Sequence, residues 1–352
     1  MNKFFIIPRN LVFGNEAKYL ISEGNALPLA GKDIGFLKFE IQCSNKTLNN
    51  IPILYSVKKQ ESWNTKYLNK HDINEFLKIY SHKPKKFLGL KNKKVHIMGI
   101  LNLTPDSFYQ NSINTSSNTK AIKKAIAMYE DGASIIDVGG ESTRPGAIKV
   151  SLEEEQRRII PVIKELSKHN IPISCDTRNS STMQAAIDAG ATIINDISAL
   201  NDKNAAKIIS KNNVGLILMH MQGVPNNMQK KPLYKNVSFD IVKYLEEKKI
   251  YAIKKGIKEK NILIDPGIGF GKNDQHNLKM LRDLALLHSL KSHILIGASR
   301  KSIIGRITKT KPSERLPGSI SLAIASVVKG VKFLRVHDVK ETKQALTIWD
   351  QI

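Results

Sequence analysis

The sequence predicts an α/β protein: a (β/α)8 barrel of the TIM type preceded by a small N-terminal extension. Eight short apolar or β-branched runs recur from residue 95 onward, and segments with helical periodicity lie between them. Gly or Asn marks several of the predicted helix exits. Strands that alternate with helices form a parallel sheet, and eight repeats over this length favour closure into a barrel. An open, doubly wound sheet is the alternative that the pattern leaves.

The barrel elements follow one another in a regular order. The predicted strands are 95–101, 134–138, 171–175, 192–195, 214–219, 262–264, 293–297 and 332–336. The clearest helical periodicity between them covers 119–131, 152–168, 180–189 and 239–255. We therefore place the barrel in residues 91–352.

Residues 1–90 have a different pattern and are predicted to form an extension of undisclosed role. Their weak alternation of apolar and polar residues favours strands, so the extension is expected to be β-rich. They end in the lysine-rich run His82-Lys83-Pro84-Lys85-Lys86, which is typical of a linker or an exposed edge. The extension holds no recognisable catalytic constellation, so its removal is predicted to leave the barrel chemistry in place.

Composition narrows the class of partner. The chain has 352 residues and a formal net charge of +24, with lysines spread along its whole length. Nucleic-acid binding usually requires clustered basic residues, so we expect small-molecule partners, and a basic field attracts anionic ones. Cys43 and Cys175, the two cysteines, are isolated, which favours a reducing compartment. The apolar run near the N-terminus is too short for a signal-peptide core, and no stretch is long enough for a transmembrane helix. We expect a cytoplasmic protein without a membrane partner.

Polar residues follow nearly every predicted barrel strand. In such barrels the catalytic residues come from the carboxyl ends of the strands and the loops after them. Charged groups gathered at one rim are costly to bury unless they bind something, although a single strand-end Asp or Asn often only caps the next helix. The segments at this rim are 102–108, 139–146, 176–178, 195–196, 219–221, 265–272, 299–301 and 335–338.

The segment 267–272 has a superficial likeness to a phosphate-binding loop. It reads Gly-Ile-Gly-Phe-Gly-Lys and lacks both the spacer and the final Ser or Thr of a Walker sequence. Its glycines instead predict a tight turn that lets the backbone approach a ligand.

The rim motifs, taken in order, resemble the dihydropteroate synthase family over about residues 95–350. The resemblance implies a transferase of folate biosynthesis and a sulfonamide target. Such an enzyme condenses (7,8-dihydropterin-6-yl)methyl diphosphate with p-aminobenzoate to give 7,8-dihydropteroate and diphosphate, in an SN1-like reaction. The sequence has no Ser/His/Asp or Cys/His constellation for a protein nucleophile, and this reaction needs none. The family also implies a homodimer.

The resemblance assigns a role to each rim residue. Asp265 would accept two parallel N–H donors of the pterin, and Asp176 would stabilise a developing pterin cation. Asn102 would be the ligand of the cofactor Mg²⁺. The full pterin set is Asp176, Asn195, Met219, Asp265, Lys301 and Arg335. The diphosphate set is Asn102, Arg144, Arg335 and His337, and the p-aminobenzoate set is Ser142, Thr143, Arg144, Pro145, Phe270 and Ser299. The implied catalytic residues are Asp106, Arg144, Asp176, Lys301, Arg335 and His337.

Two rivals and one departure accompany this interpretation. A methyltetrahydrofolate:corrinoid methyltransferase-like barrel would share the pterin-binding carboxylates but would not need segments 299–301 and 335–337. A catalytically silent pterin-binding protein would use the same barrel, although every mapped position is intact. The departure lies in the first loop, where the family usually has Ser-Asp-Gly-Gly and this chain has Tyr109-Gln110-Asn111-Ser112.

Overall fold

An antiparallel sheet occupies the N-terminal part of the chain. The computed structural model describes residues 4–43, 53–63, 68–91, 93–104, 115–142 and 150–351. Strand β3 lies between β1 and both β2 and β4 and pairs antiparallel with each of them. The strands are β1 Phe4–Phe13, β2 Leu27–Pro28, β3 Ile34–Cys43 and β4 Ile53–Ser56, with helices α1 Gly14–Ser22 and α2 Lys70–Tyr80. The expected strand content is present, together with two helices that the alternation did not indicate.

The predicted barrel is confirmed. Eight parallel strands close in chain order, with the last strand paired to the first. They are β5 His96–Asn102, β6 Ile135–Gly139, β7 Ile173–Asp176, β8 Ile193–Asp196, β9 Gly215–Met219, β10 Ile262–Asp265, β11 His293–Ile296 and β12 Phe333–Val336. Each lies within two residues of its predicted bounds. Strand β7 begins at Ile173, because Pro172 has no N–H to give to the ladder.

Helices surround the barrel and bury apolar stripes against it. In α4, for example, Ile159, Val162, Ile163 and Leu166 are fully buried at helical spacing, and Ser151 caps the first turn through the N–H of Glu154. The helices are α3 Thr115–Glu130, α4 Leu152–Ser167, α5 Ser180–Asp188, α6 Ala205–Asn212, α7 Val237–Lys254, α8 Asp274–Arg282, α9 Ser302–Thr308, α10 Leu316–Val327 and α11 Val339–Trp349. None of the helices in the described part of the chain has the length and apolarity needed to cross a bilayer.

The extension packs tightly on the barrel. Phe5 stacks on Phe239 of α7 with ring centroids 4.0 Å apart, and Ile7 is fully buried in the main barrel core. Arg9 pairs with Asp283, which precedes the short helix Leu284–Leu290, at 2.7 Å. These contacts make the sheet a covering layer of the barrel.

The end of the extension plugs the barrel where its strands begin. Phe87, in the short helix Phe87–Gly89, is 2% exposed and packs edge-on against Phe333 of β12. Six further side chains, all buried and from barrel strands, complete the cluster around it. Gly215 at the start of β9 makes room, because a Cβ there would lie 2.6 Å from the Phe87 ring. The barrel is therefore closed at this end, and its open rim is the opposite one.

Candidate active site

A buried charge cluster lies at the open rim. Arg335 of β12 points across the barrel: its Nε donates to Asp137 Oδ2 at 2.6 Å, and its Nη2 donates to Asp176 Oδ2 at 2.7 Å. Asn195 Nδ2 donates to the same Asp137 oxygen at 3.2 Å. Asp137 is fully buried, and its Oδ1 has no hydrogen-bond partner among the described residues. The rim thus holds an unsatisfied buried acceptor, which is costly unless a ligand supplies a donor.

Strand register explains why these side chains meet. Asp176 pairs with Asn195 in the β7–β8 ladder, so both stand at the same level of the barrel. Arg335 and His337 are two residues apart at the end of β12, which places them on the same side of that strand. The predicted pterin residues Asp176, Asn195, Met219, Asp265, Lys301 and Arg335 all line one pocket, together with Phe270.

Asp265 has one oxygen engaged by its own loop. Its Oδ1 accepts the N–H of Gly267 at 2.7 Å, and the residue is 5% exposed. Burial raises the pKa of Asp265, against the lowering effect of that N–H and of Lys301 and Arg335. Oδ1 of Asp265 therefore fixes the turn after the strand, and the same residue lines the pocket.

Carboxylates and cations shift one another's pKa values in this cluster. Burial raises the pKa of Asp176 to about 7, Arg335 opposes that rise, and Asp137 adds to it. Burial would lower the pKa of Arg335, but Asp137 and Asp176 outweigh that effect and raise its pKa. Both directions have one cause: the single guanidinium of Arg335 lies between two carboxylates, so Arg335 stays charged and the charge of Asp176 is only partly compensated.

A second cavity adjoins this pocket. It is lined by the predicted residues Asn102, Ser142, Phe270, Ser299, Lys301, Arg335 and His337. The Lys301 ammonium lies 4.1 Å from the centroid of the Phe270 ring, and both residues border the two spaces. A ligand with a ring in the pocket and an anionic group in the cavity would contact both sets of residues.

His337 is held as a hydrogen-bond donor. Ser299 Oγ accepts the backbone N–H of His337 at 3.2 Å and lies 3.0 Å from His337 Nδ1. Because Ser299 already accepts a hydrogen bond, its own proton is available for Nδ1, and this favours the tautomer with hydrogen on Nε2. Burial, then the charge of Arg335, lowers the pKa of His337 to about 4. At neutral pH the ring is uncharged and can still donate through Nε2.

Three supporting groups were missed by sequence reasoning. Asp137 lies inside the apolar run Ile135-Ile136-Asp137-Val138, and a lone carboxylate in a buried strand was the available signal. Glu155 of α4 is buried and accepts hydrogen bonds from Thr177, Asn179 and Thr182, fixing the loop after β7. The third group is the ion pair in which Arg178 Nη2 lies 3.0 Å from Glu141 Oε1.

Lys272 supports the glycine-rich turn from inside. It is 1% exposed, and its Nζ donates to the carbonyls of Gly267 and Phe270, both at 2.9 Å. Burial lowers the pKa of Lys272 to about 7. Gly267 has a φ of +66°, and a Cβ there would lie 2.0 Å from the His220 carbonyl oxygen. The turn is therefore as tight as its glycines predict, and its lysine is structural.

Four predicted site residues lie outside the described part of the chain: Asp106, Thr143, Arg144 and Pro145. The unusual run 109–112 also lies outside it. The base of the second loop is visible, because Glu141 Oε1 accepts the N–H of Val150 at 3.4 Å and also binds Arg178. Glu141 thereby connects residues on both sides of segment 143–149.

The rim residue that we expect to hold a metal ion is Asn102. Among the described residues no group of three or more His, Cys, Asp or Glu could hold a metal ion. The Asn102 amide is the oxygen donor predicted from sequence, and it lines the second cavity. One protein oxygen suits Mg²⁺ when phosphates and water provide its other ligands, so this donor set fits that ion and not a structural zinc.

The fold and the rim together define a barrel enzyme with a buried, charged ligand site, and comparisons with known proteins agree. The family model described as pterin binding enzyme matches residues 98–337. The dihydropteroate synthase of Escherichia coli K12 is 43% identical over 254 residues, which cover 72% of this chain and 90% of that protein. The Bacillus subtilis dihydropteroate synthase is 41% identical over 260 residues, covering 73% of this chain and 88% of that protein. The chain therefore belongs to the pterin-binding enzyme family and, within it, to the dihydropteroate synthases.

Solved structures give the same result. A Xanthomonas albilineans dihydropteroate synthase with 4-aminobenzoic acid superposes with a TM-score of 0.69 at 40% identity, covering 73% of this chain and 92% of the other. A Yersinia pestis dihydropteroate synthase with a sulfonamide drug complex superposes with a TM-score of 0.71 at 38% identity, covering 76% of this chain and 98% of the other. The Xanthomonas albilineans enzyme in complex with 7,8-dihydropteroate superposes with a TM-score of 0.67 at 36% identity, covering 75% of this chain and 96% of the other.

Proposed function

We propose that the open rim of this barrel condenses (7,8-dihydropterin-6-yl)methyl diphosphate with p-aminobenzoate, giving 7,8-dihydropteroate and diphosphate. The observation that carries the proposal is the buried cluster in which Arg335 is held between Asp137 and Asp176, beside Asp265 and Lys301. Such a site stabilises positive charge that develops on a bound ring. Relatives solved with 4-aminobenzoic acid and with 7,8-dihydropteroate support the same substrate and product.

The pterin ring would lie in the pocket between Arg335 and the carboxylates. Its N–H edge has adjacent donors, and the second oxygen of Asp265 and the unpartnered Oδ1 of Asp137 are acceptors within that rim. Asn195 can donate and accept at neighbouring ring atoms. The Arg335 guanidinium is planar and suits contact with a ring face as well as with a phosphate oxygen.

The first chemical step breaks the bond between the methylene carbon and the diphosphate oxygen, and the electron pair leaves with that oxygen. The positive charge spreads into the pterin, where Asp176 and Asp137 stabilise it. Arg335, Lys301 and the Nε2–H of His337 would stabilise the departing diphosphate, because all three line the second cavity. No residue needs to become covalently attached.

The second step forms the carbon–nitrogen bond. The amine of p-aminobenzoate donates its lone pair to the methylene carbon, and the proton that the nitrogen loses goes to solvent or to the diphosphate. Phe270 offers an apolar surface to the benzoate ring at the border of the two spaces. Ser142, with Thr143, Arg144 and Pro145 after it, would complete this wall.

Magnesium belongs to the proposal. Asn102 would hold it, and a bound Mg²⁺ would neutralise part of the charge of the leaving diphosphate. Chelation should therefore lower the rate of diphosphate release, and readdition of Mg²⁺ should restore it.

The enzyme is also proposed to be a cytoplasmic homodimer, for which light scattering should give the mass of two chains.

The decisive experiment is a diphosphate-release assay with the pterin diphosphate, with and without p-aminobenzoate. Wild-type protein should form dihydropteroate and release diphosphate over many turnovers only when both substrates are present, because the amine must capture the cation that the first step forms. Asp137→Asn should lower kcat/KM by about a hundredfold or more, because it removes a buried charge partner of Arg335. The exposed Asp131→Asn is the matched control and should behave as wild type. Wild-type protein that binds pterin analogues but releases no diphosphate would instead point to one of the other pterin-binding functions.

A further inference from the structure

A separate cavity lies at the plugged end of the barrel, between the extension and the barrel wall. Its lining includes Leu29, Asp33, Lys83, Phe87 and Lys93, together with the first residues of strands β5, β11 and β12. Strand β5 runs from His96 in this cavity to Asn102 at the active rim. At about 3.3 Å per residue the two ends are roughly 20 Å apart, so this cavity is distinct from the active site.

Three residues that line this cavity each have a buried side-chain atom without a hydrogen-bond partner among the described residues. These atoms are His96 Nδ1, His288 Nδ1 and Ser292 Oγ, half of the six such atoms found in the described part of the chain. The three residues are 8%, 4% and 3% exposed. Buried polar groups are nearly always satisfied, so three orphans around one space indicate that something polar occupies it.

The orientation of His288 is fixed by its other nitrogen. His288 Nε2 lies 2.9 Å from the carbonyl oxygen of Lys329, and a carbonyl only accepts, so Nε2 holds the ring proton. Gly330 allows this packing, because a Cβ there would lie 2.6 Å from Nε2. Nδ1 is then an acceptor. Burial lowers the pKa of His288 to about 4, and the nearby His293 and Lys332 add to this effect, so the ring is uncharged at neutral pH.

The charge around the cavity is strongly positive. Lys83, Lys86, Lys93 and Lys332 line it, and within the described residues none of them has a carboxylate within 4.0 Å. Asp33 is the acidic residue of the lining, and Lys18 lies 3.7 Å from it. Burial lowers the pKa of Lys332 and outweighs the raising effect of Asp33, so the positive charge of Lys332 is only partly compensated by nearby carboxylates. The cavity therefore combines lysines that have no carboxylate of the described residues within 4.0 Å with a buried nitrogen, His288 Nδ1, that accepts a hydrogen bond.

We propose that this cavity binds a phosphate-type oxyanion, either inorganic phosphate or the phosphoryl group of a small phosphomonoester. Near neutral pH such a group has charged oxygens, which accept from Lys332 and from the Ser292 hydroxyl. Inorganic phosphate also has a P–OH near neutral pH, as does the monoanion of a phosphomonoester, and this group donates to the Nδ1 of His96 or His288. Sulfate has the same shape and no proton to donate. The space is concave and walled by Phe87 and Phe333, so it suits a small anion and not a duplex or a bilayer.

The test uses the full-length protein with ¹⁵N-labelled histidine rings. Inorganic phosphate is titrated at pH 7 while the Nδ1 signals of His96 and His288 are followed, and the His337 signal separately reports binding at the active rim. The His96 and His288 signals should shift with phosphate, and sulfate should need about a tenfold higher concentration for the same shift. A parallel titration with glycerol 3-phosphate shows which source binds more tightly.

Two variants make the assignment specific. Lys332→Met keeps the apolar stem and should weaken phosphate binding by about tenfold or more, with dihydropteroate formation unchanged. Lys207→Met, an exposed lysine of α6 away from the cavity, should bind phosphate like wild type. The proposal is overturned if the two histidines do not respond, if both variants bind equally, or if sulfate binds as well as phosphate. None of these outcomes depends on whether the rim makes dihydropteroate.

Discussion

At the scale of single residues, Asp265 separates two roles that strand-end carboxylates often combine. Its Oδ1 accepts the Gly267 N–H, and in the proposed function its other oxygen accepts from the pterin. Asp265→Asn should keep the turn, since an amide oxygen can still accept from Gly267, while the charged acceptor is lost. Pterin-analogue binding should weaken by about 2–4 kcal/mol, measured by isothermal titration calorimetry. Wild-type affinity in this variant would remove Asp265 from the pterin site.

His337 gives a pH prediction. Its pKa of about 4 lies below the ordinary 6.5 of the unfolded chain, so its contribution to stability is fully present above pH 6.5 and is lost as the pH falls toward 4. Asp176 acts in the opposite direction, because burial raises its pKa. The ring signals of His337 should stay those of a neutral imidazole from pH 8 to about 5.5. Diphosphate with Mg²⁺ should raise this pKa, and an unchanged titration would place His337 outside the diphosphate site.

Sequence could predict the strand-end residues but not their partners. Asp176, Asn195 and Asp265 were accessible because each follows an apolar run that had to be a strand. Asp137 could not be recognised in this way, because it lies in the middle of an apolar run, where the pattern predicts a buried strand residue and not a site residue. Its pairing with Arg335 joins residues nearly two hundred positions apart and exists only once the barrel has closed.

At the scale of elements, Glu141 links the described residues at the two ends of the loop after β6 and joins them to Arg178. This side chain binds Arg178 and the N–H of Val150, and so it ties down both sides of segment 143–149. Glu141→Gln should loosen the segment, since the ion pair is lost. We expect a several-fold rise in KM for p-aminobenzoate, and steady-state kinetics would measure it.

Pterin-analogue affinity should stay near wild type in Glu141→Gln, because Glu141 does not line the pterin pocket. Glu165→Gln, on the exposed face of α4, is a matched control and should leave both quantities unchanged. Equal losses for both substrates would show that Glu141 supports the whole rim and not this loop alone.

Element boundaries were predictable for a physical reason. Strands buried on both faces must be apolar throughout, so their ends are visible where polar residues resume. The extension lacks that regularity, because buried and part-exposed residues follow no simple pattern along β1. Its two helices, α1 and α2, are short and were not distinguished from strands by alternation alone.

At the scale of the whole molecule, the extension supports the barrel more than its lack of catalytic residues suggested. Phe87 fills the closed end, and Phe5 and Ile7 pack on the barrel wall. Phe87→Ala should lower the free energy of unfolding by about 3–5 kcal/mol, as expected for a large buried aromatic side chain. Urea denaturation would measure this, with KM for both substrates close to wild type.

The exposed Tyr19→Ala is the control for this change and should cost little, because Tyr19 is 63% exposed. Removal of residues 1–90 should be more damaging than Phe87→Ala, since it uncovers the barrel as well as emptying the plug. A truncated barrel as stable as the full chain would show that the extension is only an appendage.

The contact between Phe87 and Phe333 also constrains how the chain is made. A ribosome delivers the extension before the barrel, and β12 after the other seven barrel strands. Phe87 therefore waits, with part of its ring exposed, until all eight strands have emerged. A chain that stops before β12 lacks the Phe333 face of the cluster, and this exposed aromatic surface distinguishes it from a folded molecule for chaperones and proteases. The extension and β12 complete their folding together.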